Sequence, residues 1–173
     1  MPKFDSFAES LARLLPVELQ PAVLGCEIPG LDGGPEDHEL QDQLKQSKKL
    51  DWGNATARAT ELAVSGLWLL SGDLDRSHSI SQSIDNSTGS FWHGIMHRRE
   101  GDYGNAKYWF RRAGNHPALQ DVFSNSAGDY LDPFDFVDAC ESAQRRKRGD
   151  AERCKVAQWI EWQALMLHSL RSH

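Results

Sequence analysis

Apolar residues recur along this chain with a helical period of three to four, and strict alternation is absent. Phe7, Leu11, Leu14 and Leu15 follow Asp5, a residue able to cap a helix, and Pro16 closes the run. Residues 27–36, EIPGLDGGPE, are dense in turn formers and read as a loop. The strongly polar stretch 37–50 has Leu40 and Leu44 as its apolar contacts and reads as a marginal surface helix or a mobile arm. From Thr56 to Leu70 the residues Leu62, Val64, Leu67, Trp68, Leu69 and Leu70 surround almost the whole circumference, the pattern of a helix buried on all sides. Gly72-Asp73 breaks it. Further helices are expected over about 75–84, 90–100 and 103–113, with Asn86 to Gly89 as a loop, Gly101-Asp102 as a break and Gly114-Asn115-His116-Pro117 as a stop. A short helix near 118–124 follows, then one opened by Asp132-Pro133 with Phe136, Val137, Cys140 and Ala143 at core spacing, and a last one over about 150–170. No run of β-branched residues alternates as a strand would. The predicted fold class is all-α, a compact helical bundle. It is divided into an N-terminal helix and polar arm (1–50) and a helical core (51–173) within one globular domain.

An internal echo sharpens this picture. SGDLDRS at 71–77 and EGDYGNA at 100–106 each carry Gly-Asp, a large residue two positions after the glycine and a small one five positions after it. Both units read as helix, Gly-Asp turn, helix, in which glycine permits a positive φ and Asp caps the following helix. Gly94, Gly101, Tyr103, Ala106, Phe110, Ala113 and Pro117 also fall near the preferred positions of the tetratricopeptide repeat, so the second unit resembles such a hairpin. The offset of 29 residues is shorter than that repeat's period of about 34, and two units are fewer than the three or more that a free-standing array needs. A compact bundle containing two repeat-like hairpins is therefore expected. The block HGIMHRREGDYGNAKYWFRRAGNHP, followed by QWIEW at 158–162, resembles an all-helical family of bacterial and fungal proteins, over residues 52–170. That family has no settled activity, and the resemblance implies no catalytic residues.

Composition bounds the function without naming it. A chain of 173 residues buries roughly two-thirds of its unfolded surface, so it needs no metal or disulfide staple to fold. The net charge of -6 argues against general binding of nucleic acid or anionic membranes. Cys26, Cys140 and Cys154 form no CxxC pair, which disfavours a zinc ribbon or a redox motif and suits reduced thiols in a cytoplasmic protein. The N-terminus has no secretory pattern and no stretch is apolar for long enough to span a membrane. There is no glycine-rich phosphate loop and no GxSxG elbow.

The remaining signal is a set of polar residues that packing does not require. His93, His97 and Glu100 fall within about 60° of one another on the third core helix. Two histidines at i and i+4 can hold one metal ion, although Gly94 stands where a zincin would carry its glutamate base. His78, Gln82 and Asp85 form a polar stripe that would face this pair if the two hairpins stack. Arg98, Arg99, Lys107, Arg111 and Arg112 make the second hairpin locally positive. For most of them a solvated, salt-bridged surface is expected, with Tyr108 and Arg112 set apart by their proximity to His116. Glu161, within an apolar helix, is either on a narrow polar face or buried against a partner. Three readings follow. In the first, His78, His93, His97, Tyr108, Arg112, His116 and Glu161 line a pocket for a small polar or anionic molecule. In the second, His93 and His97 centre a metal-dependent enzyme. In the third, a tetratricopeptide-like module binds a protein partner.

Overall fold

A computed structural model describes residues 4–146 and 150–171. Among the described residues it contains ten α-helices and no strand: α1 (Phe4–Leu14), α2 (Gln20–Leu24), α3 (His38–Leu44), α4 (Ala57–Leu70), α5 (Leu74–Ser81), α6 (Ser87–Glu100), α7 (Tyr103–Ala113), α8 (Ala118–Asn125), α9 (Pro133–Arg146) and α10 (Asp150–Arg171). None of them is long and apolar enough to cross a membrane. The all-α bundle anticipated from the periodicity is therefore what the chain forms.

Three helices carry the centre. In α4, residues 62–69 are buried all round, and in α6 every residue from Thr88 to Arg99 is buried. The long α10 covers both, with Trp162 Nε1 donating to the Gly66 carbonyl at 2.9 Å and Trp92 Nε1 donating to Ser169 Oγ at 3.0 Å. The two indole N–H groups thus find acceptors inside the buried interfaces, as burial demands. Gly66 is required by this packing, because a Cβ there would lie 2.6 Å from the Trp92 ring and 2.8 Å from Met166.

The internal echo is physical at the turns. Gly72 and Gly101 adopt φ of +84° and +88°, and the next residues, Asp73 and Asp102, accept from the amides of Arg76 and Asn105 to cap α5 and α7. The first turn folds α5 back on α4 and the second folds α7 back on α6, and α5 also packs against α6.

One local expectation is corrected, and one pair of alternatives is resolved. Asn86 to Gly89 do not form a loop: the Asn86 side chain accepts from the Gly89 amide at 2.7 Å, so residues 87–89 are the first turn of α6. A cluster of Asn, Ser, Thr and Gly suits a turn and a capped helix start equally well in sequence. Of the two alternatives for 37–50, the short surface helix forms, as α3, and the mobile arm does not. Leu40 and Leu44 are buried in the same core as α1 and α4, and the Asp37 amide donates to the Ser71 carbonyl at 2.9 Å.

Candidate functional site

The faces of α6 decide which polar side chains meet. Positions 91, 94 and 98 form one face, on which the Phe110 ring lies against Gly94 and Phe91. Positions 93 and 97, about 200° and 240° around from Phe91, form another. Here His78 of α5 lies with its ring centroid 4.7 Å from that of His93 and 5.2 Å from that of His97. The His93 ring is held between two nearly parallel rings, that of Trp109 at 3.9 Å and that of His97 at 4.8 Å. Trp109, expected in the core stripe of its helix with Ala106, Phe110 and Ala113, is instead the half-buried wall of this cluster.

One potential ligand nitrogen from each of His78, His93 and His97 lies within 4.8 Å of the others. His93 is 2% exposed, and neither of its ring nitrogens has a hydrogen-bond partner. A neutral imidazole carries one N–H, so an orphaned buried donor and an orphaned acceptor sit together. Burial first, then the charges of His97 and His78, pull the His93 pKa down to about 3. The His97 pKa is also lowered, chiefly by burial and partly by His78, while Glu100 and Asp102 oppose the shift. His93 is therefore uncharged and available as a lone-pair donor at neutral pH. His97 Nδ1, also without a hydrogen-bond partner, faces Glu100 Oε2 at 3.7 Å and Asp102 Oδ2 at 4.0 Å. Both carboxylates are substantially exposed, so the cluster runs from a buried ring outward to solvent.

The other four residues of the expected pocket are engaged elsewhere. His116 is a structural histidine. Its Nδ1 accepts from the Ala118 amide at 3.2 Å, which leaves the proton on Nε2 to be donated to Thr88 Oγ1 at 3.0 Å. Its pKa is lowered to about 4 by burial and then by His168, whose ring is 4.5 Å away. Tyr108 is exposed, edge-on to Trp109. Arg112 lies over the outer side of Trp109 and pairs with Asp85 at 3.0 Å, so its guanidinium is already occupied at the surface. Gln82, the middle of the stripe expected on the second helix, is exposed beyond the end of α5.

Glu161 belongs to a separate, fully buried network. Arg98 grips it with both terminal nitrogens, Nη1 at 3.1 Å from Oε1 and Nη2 on Oε2, and Tyr130 donates its hydroxyl to Oε1 at 2.6 Å. Gln158 accepts from Arg98 at 3.3 Å and donates to the Gly30 carbonyl at 2.9 Å, linking the network to the 27–36 loop. Burial opposes the Arg98 charge, but Glu161 more than offsets it, so its pKa goes up. The phenol of Tyr130 is pushed well above its ordinary range by burial and by Glu161. Arg98 and Arg99 were expected on a solvated surface and are instead internal. Arg99 donates to the carbonyls of Leu69, Asp32 and Gly33 at 2.6, 3.0 and 3.0 Å and so pins the same loop to α4. Burial and the neighbouring Arg98 lower its pKa to about 10, which still leaves it charged near neutrality. Sequence reasoning missed Arg98, Arg99 and Tyr130. The available signal for Arg98 was its position, seven residues after Phe91 and four after Gly94, on a face committed to packing.

A surface cleft of about 570 Å³ lies between α1, the 51–55 segment and the end of α10, where Arg13, Trp52 and Arg171 line it. None of the seven expected pocket residues takes part in it. Comparison with protein-family models, with curated proteins and with solved structures gives no match, so the roles of these residues rest on the geometry alone.

Proposed function

We propose that this protein binds a first-row transition-metal ion through His78, His93 and His97, and that the bound ion presents an open position to a small polar or anionic molecule. The observation that carries the reading is His93, a buried imidazole whose two nitrogens have no partner, with His97 stacked on it and His78 edge-on to it. Orphaned buried donors and acceptors are rare in folded proteins, and each costs about 1–3 kcal/mol. A metal ion would satisfy the acceptor directly.

The donor set is consistent with this. Three imidazoles favour zinc, copper, nickel or iron over magnesium or calcium. At metal–nitrogen distances of about 2.0–2.1 Å, ligand nitrogens in a tetrahedral site stand roughly 3.4 Å apart. The three groups, now within 4.8 Å, need to close by up to about 1.4 Å. An imidazole lone pair lies in the ring plane. Because the planes of His93 and His97 are only 12° from parallel, one ring must turn about its χ2 before both lone pairs meet one ion. His97 is the ring placed to do so, since His93 also stacks on Trp109 while His97 Nδ1 lies beside the half-exposed Glu100 and Asp102.

Three protein ligands leave a fourth position for water, the arrangement of a catalytic rather than a purely structural zinc site. A metal ion so placed would supply a water of lowered pKa and a Lewis acid for a carbonyl or phosphoryl oxygen. This chain's residues hold the ion, wall one side with Trp109 and leave access past His78, Glu100 and Asp102. The small polar or anionic ligand expected from the sequence then binds at the ion, without the Arg112 clamp.

Equilibrium titration of tag-free, chelator-treated protein with Zn²⁺ tests the proposal. At least one ion per chain is expected to bind in the wild type, the first with at least tenfold weaker affinity in His93→Phe and in His78→Phe. Binding that is unchanged in both variants overturns it.

A further inference from the structure

His97 belongs to two donor sets. One is His78, His93 and His97; the other is His97, Glu100 and Asp102, whose ligand atoms also lie within 4.8 Å of one another. The two nitrogens of an imidazole point in different directions, so one ring can serve two ions. We infer that the outer set is a second metal position, and that His97 bridges it to the inner ion as an imidazolate.

This inference rests on the proposed inner site and deepens it. The acidic pair alone would mean little. What points to a ligand is His97 itself: 7% exposed, its Nδ1 buried without a hydrogen-bond partner and directed at both carboxylates. The separations of 3.7 and 4.0 Å are too long for hydrogen bonds to either oxygen. A cation with metal–nitrogen and metal–oxygen distances of about 2.0–2.2 Å spans donors roughly 3–3.5 Å apart, so His97 needs to approach each carboxylate by about half an ångström, and the two carboxylates, within 4.8 Å, need to close as well.

Local structure holds these groups in place. Glu100 is the last residue of α6, and Asp102 caps α7 from the far side of the Gly101 turn. Asp102 already accepts from the Asn105 amide and from Asn105 Nδ2, at 3.1 and 2.6 Å, which fixes its carboxylate and leaves further lone pairs free. The hydrogen bonds from Asn105 hold its pKa below the usual range. With one nitrogen and two carboxylate oxygens, the outer position is harder than the inner one and more exposed, so water completes its shell. When the second ion takes the Nδ1 lone pair, the remaining N–H proton of His97 passes to solvent. The inner ion keeps Nε2, and no oxidant or reductant is involved.

Titration of the tag-free full chain with Cu²⁺, followed by electron paramagnetic resonance, reads the bridge directly. The signal of an isolated Cu²⁺ is expected to grow to one equivalent and then to fall as the second equivalent couples to the first. Glu100→Gln combined with Asp102→Asn, in which Asn retains the helix cap, should bind one equivalent with an uncoupled signal. The bridge is overturned if the wild type saturates at one equivalent. It is also overturned if a second equivalent adds an uncoupled signal that the double variant retains. Failure of even the first equivalent to bind in a His93-dependent way overturns the inner site, and the bridge with it.

Discussion

Replacing Glu161 by Gln perturbs the most deeply buried charge pair in the molecule while keeping side-chain volume. The Arg98 and Glu161 side chains are both 0% exposed. The variant leaves the Arg98 guanidinium in place without a counter-charge, and turns an amide N–H toward it where a carboxylate oxygen had accepted. Removing one partner of such a pair costs about 3–5 kcal/mol, because the survivor is left charged and dry. Tyr130 and Gln158 retain acceptors or donors nearby, which places the expected loss near the lower end, about 3 kcal/mol. For a domain of this size each kcal/mol shifts Tm by about 2–4 °C, giving a fall of roughly 6–12 °C. Urea unfolding followed by circular dichroism at pH 7 measures it. The double variant Arg98→Met, Glu161→Leu removes both charges and should be distinctly less unstable than the sum of the two single changes. A Glu161→Gln loss below about 1 kcal/mol, or strict additivity in the double variant, would refute the view that this pair locks α6 to α10.

Other outcomes follow from the same geometry. Folding depresses the His116 and His93 pKa values to about 4 and about 3, so the unfolded chain binds more protons below its ordinary histidine pKa of about 6.5. Stability of the metal-free protein is therefore complete above pH 6.5 and falls as the pH drops toward 4, by up to about 1.4 kcal/mol per pH unit for each histidine. Chemical denaturation between pH 7 and 4.5 should show this slope, and His116→Gln should reduce it; a flat profile contradicts the assignment. Gly66→Ala should cost about 1–3 kcal/mol by overpacking Trp92 and Met166, seen as a lower denaturation midpoint without a change in slope. His93→Phe should raise the thermal stability of metal-free protein, since it removes two unpartnered buried nitrogens, while abolishing any stabilisation by Zn²⁺. A destabilised metal-free His93→Phe protein would mean that the ring nitrogens are satisfied in solution.

The helical architecture was legible because each signal was local. Period, Gly-Asp turns and Asp caps act within a few residues, and the turns at Gly72 and Gly101 form as their sequence indicates. His93 and His97 were legible as a pair for the same reason, since a spacing of four puts two side chains on one helix face. His78 joins them because α5 stacks on α6, which the echo between the two units made a reasonable conjecture. What failed depended on long-range partners. Two arginines and a glutamate, RRE at 98–100, look alike in sequence, yet Arg98 reaches Glu161, Arg99 reaches three carbonyls, and only Glu100 meets solvent. Polarity left a surface helix and a mobile arm both open for 37–50, and two leucines and one capping aspartate suffice to dock the helix. His116 illustrates the opposite error: a histidine beside a helix stop looked chemical, and it is consumed by the first amide of α8 and by Thr88.

The central claim is that His78, His93 and His97 together hold a transition-metal ion. X-ray absorption spectroscopy on tag-free protein loaded with one equivalent of Zn²⁺ measures the donor set itself. Three imidazole nitrogens at about 2.0–2.1 Å with one further light-atom ligand are the expected shell. A shell dominated by carboxylate or water oxygens, or one unchanged in His93→Phe, would contradict it.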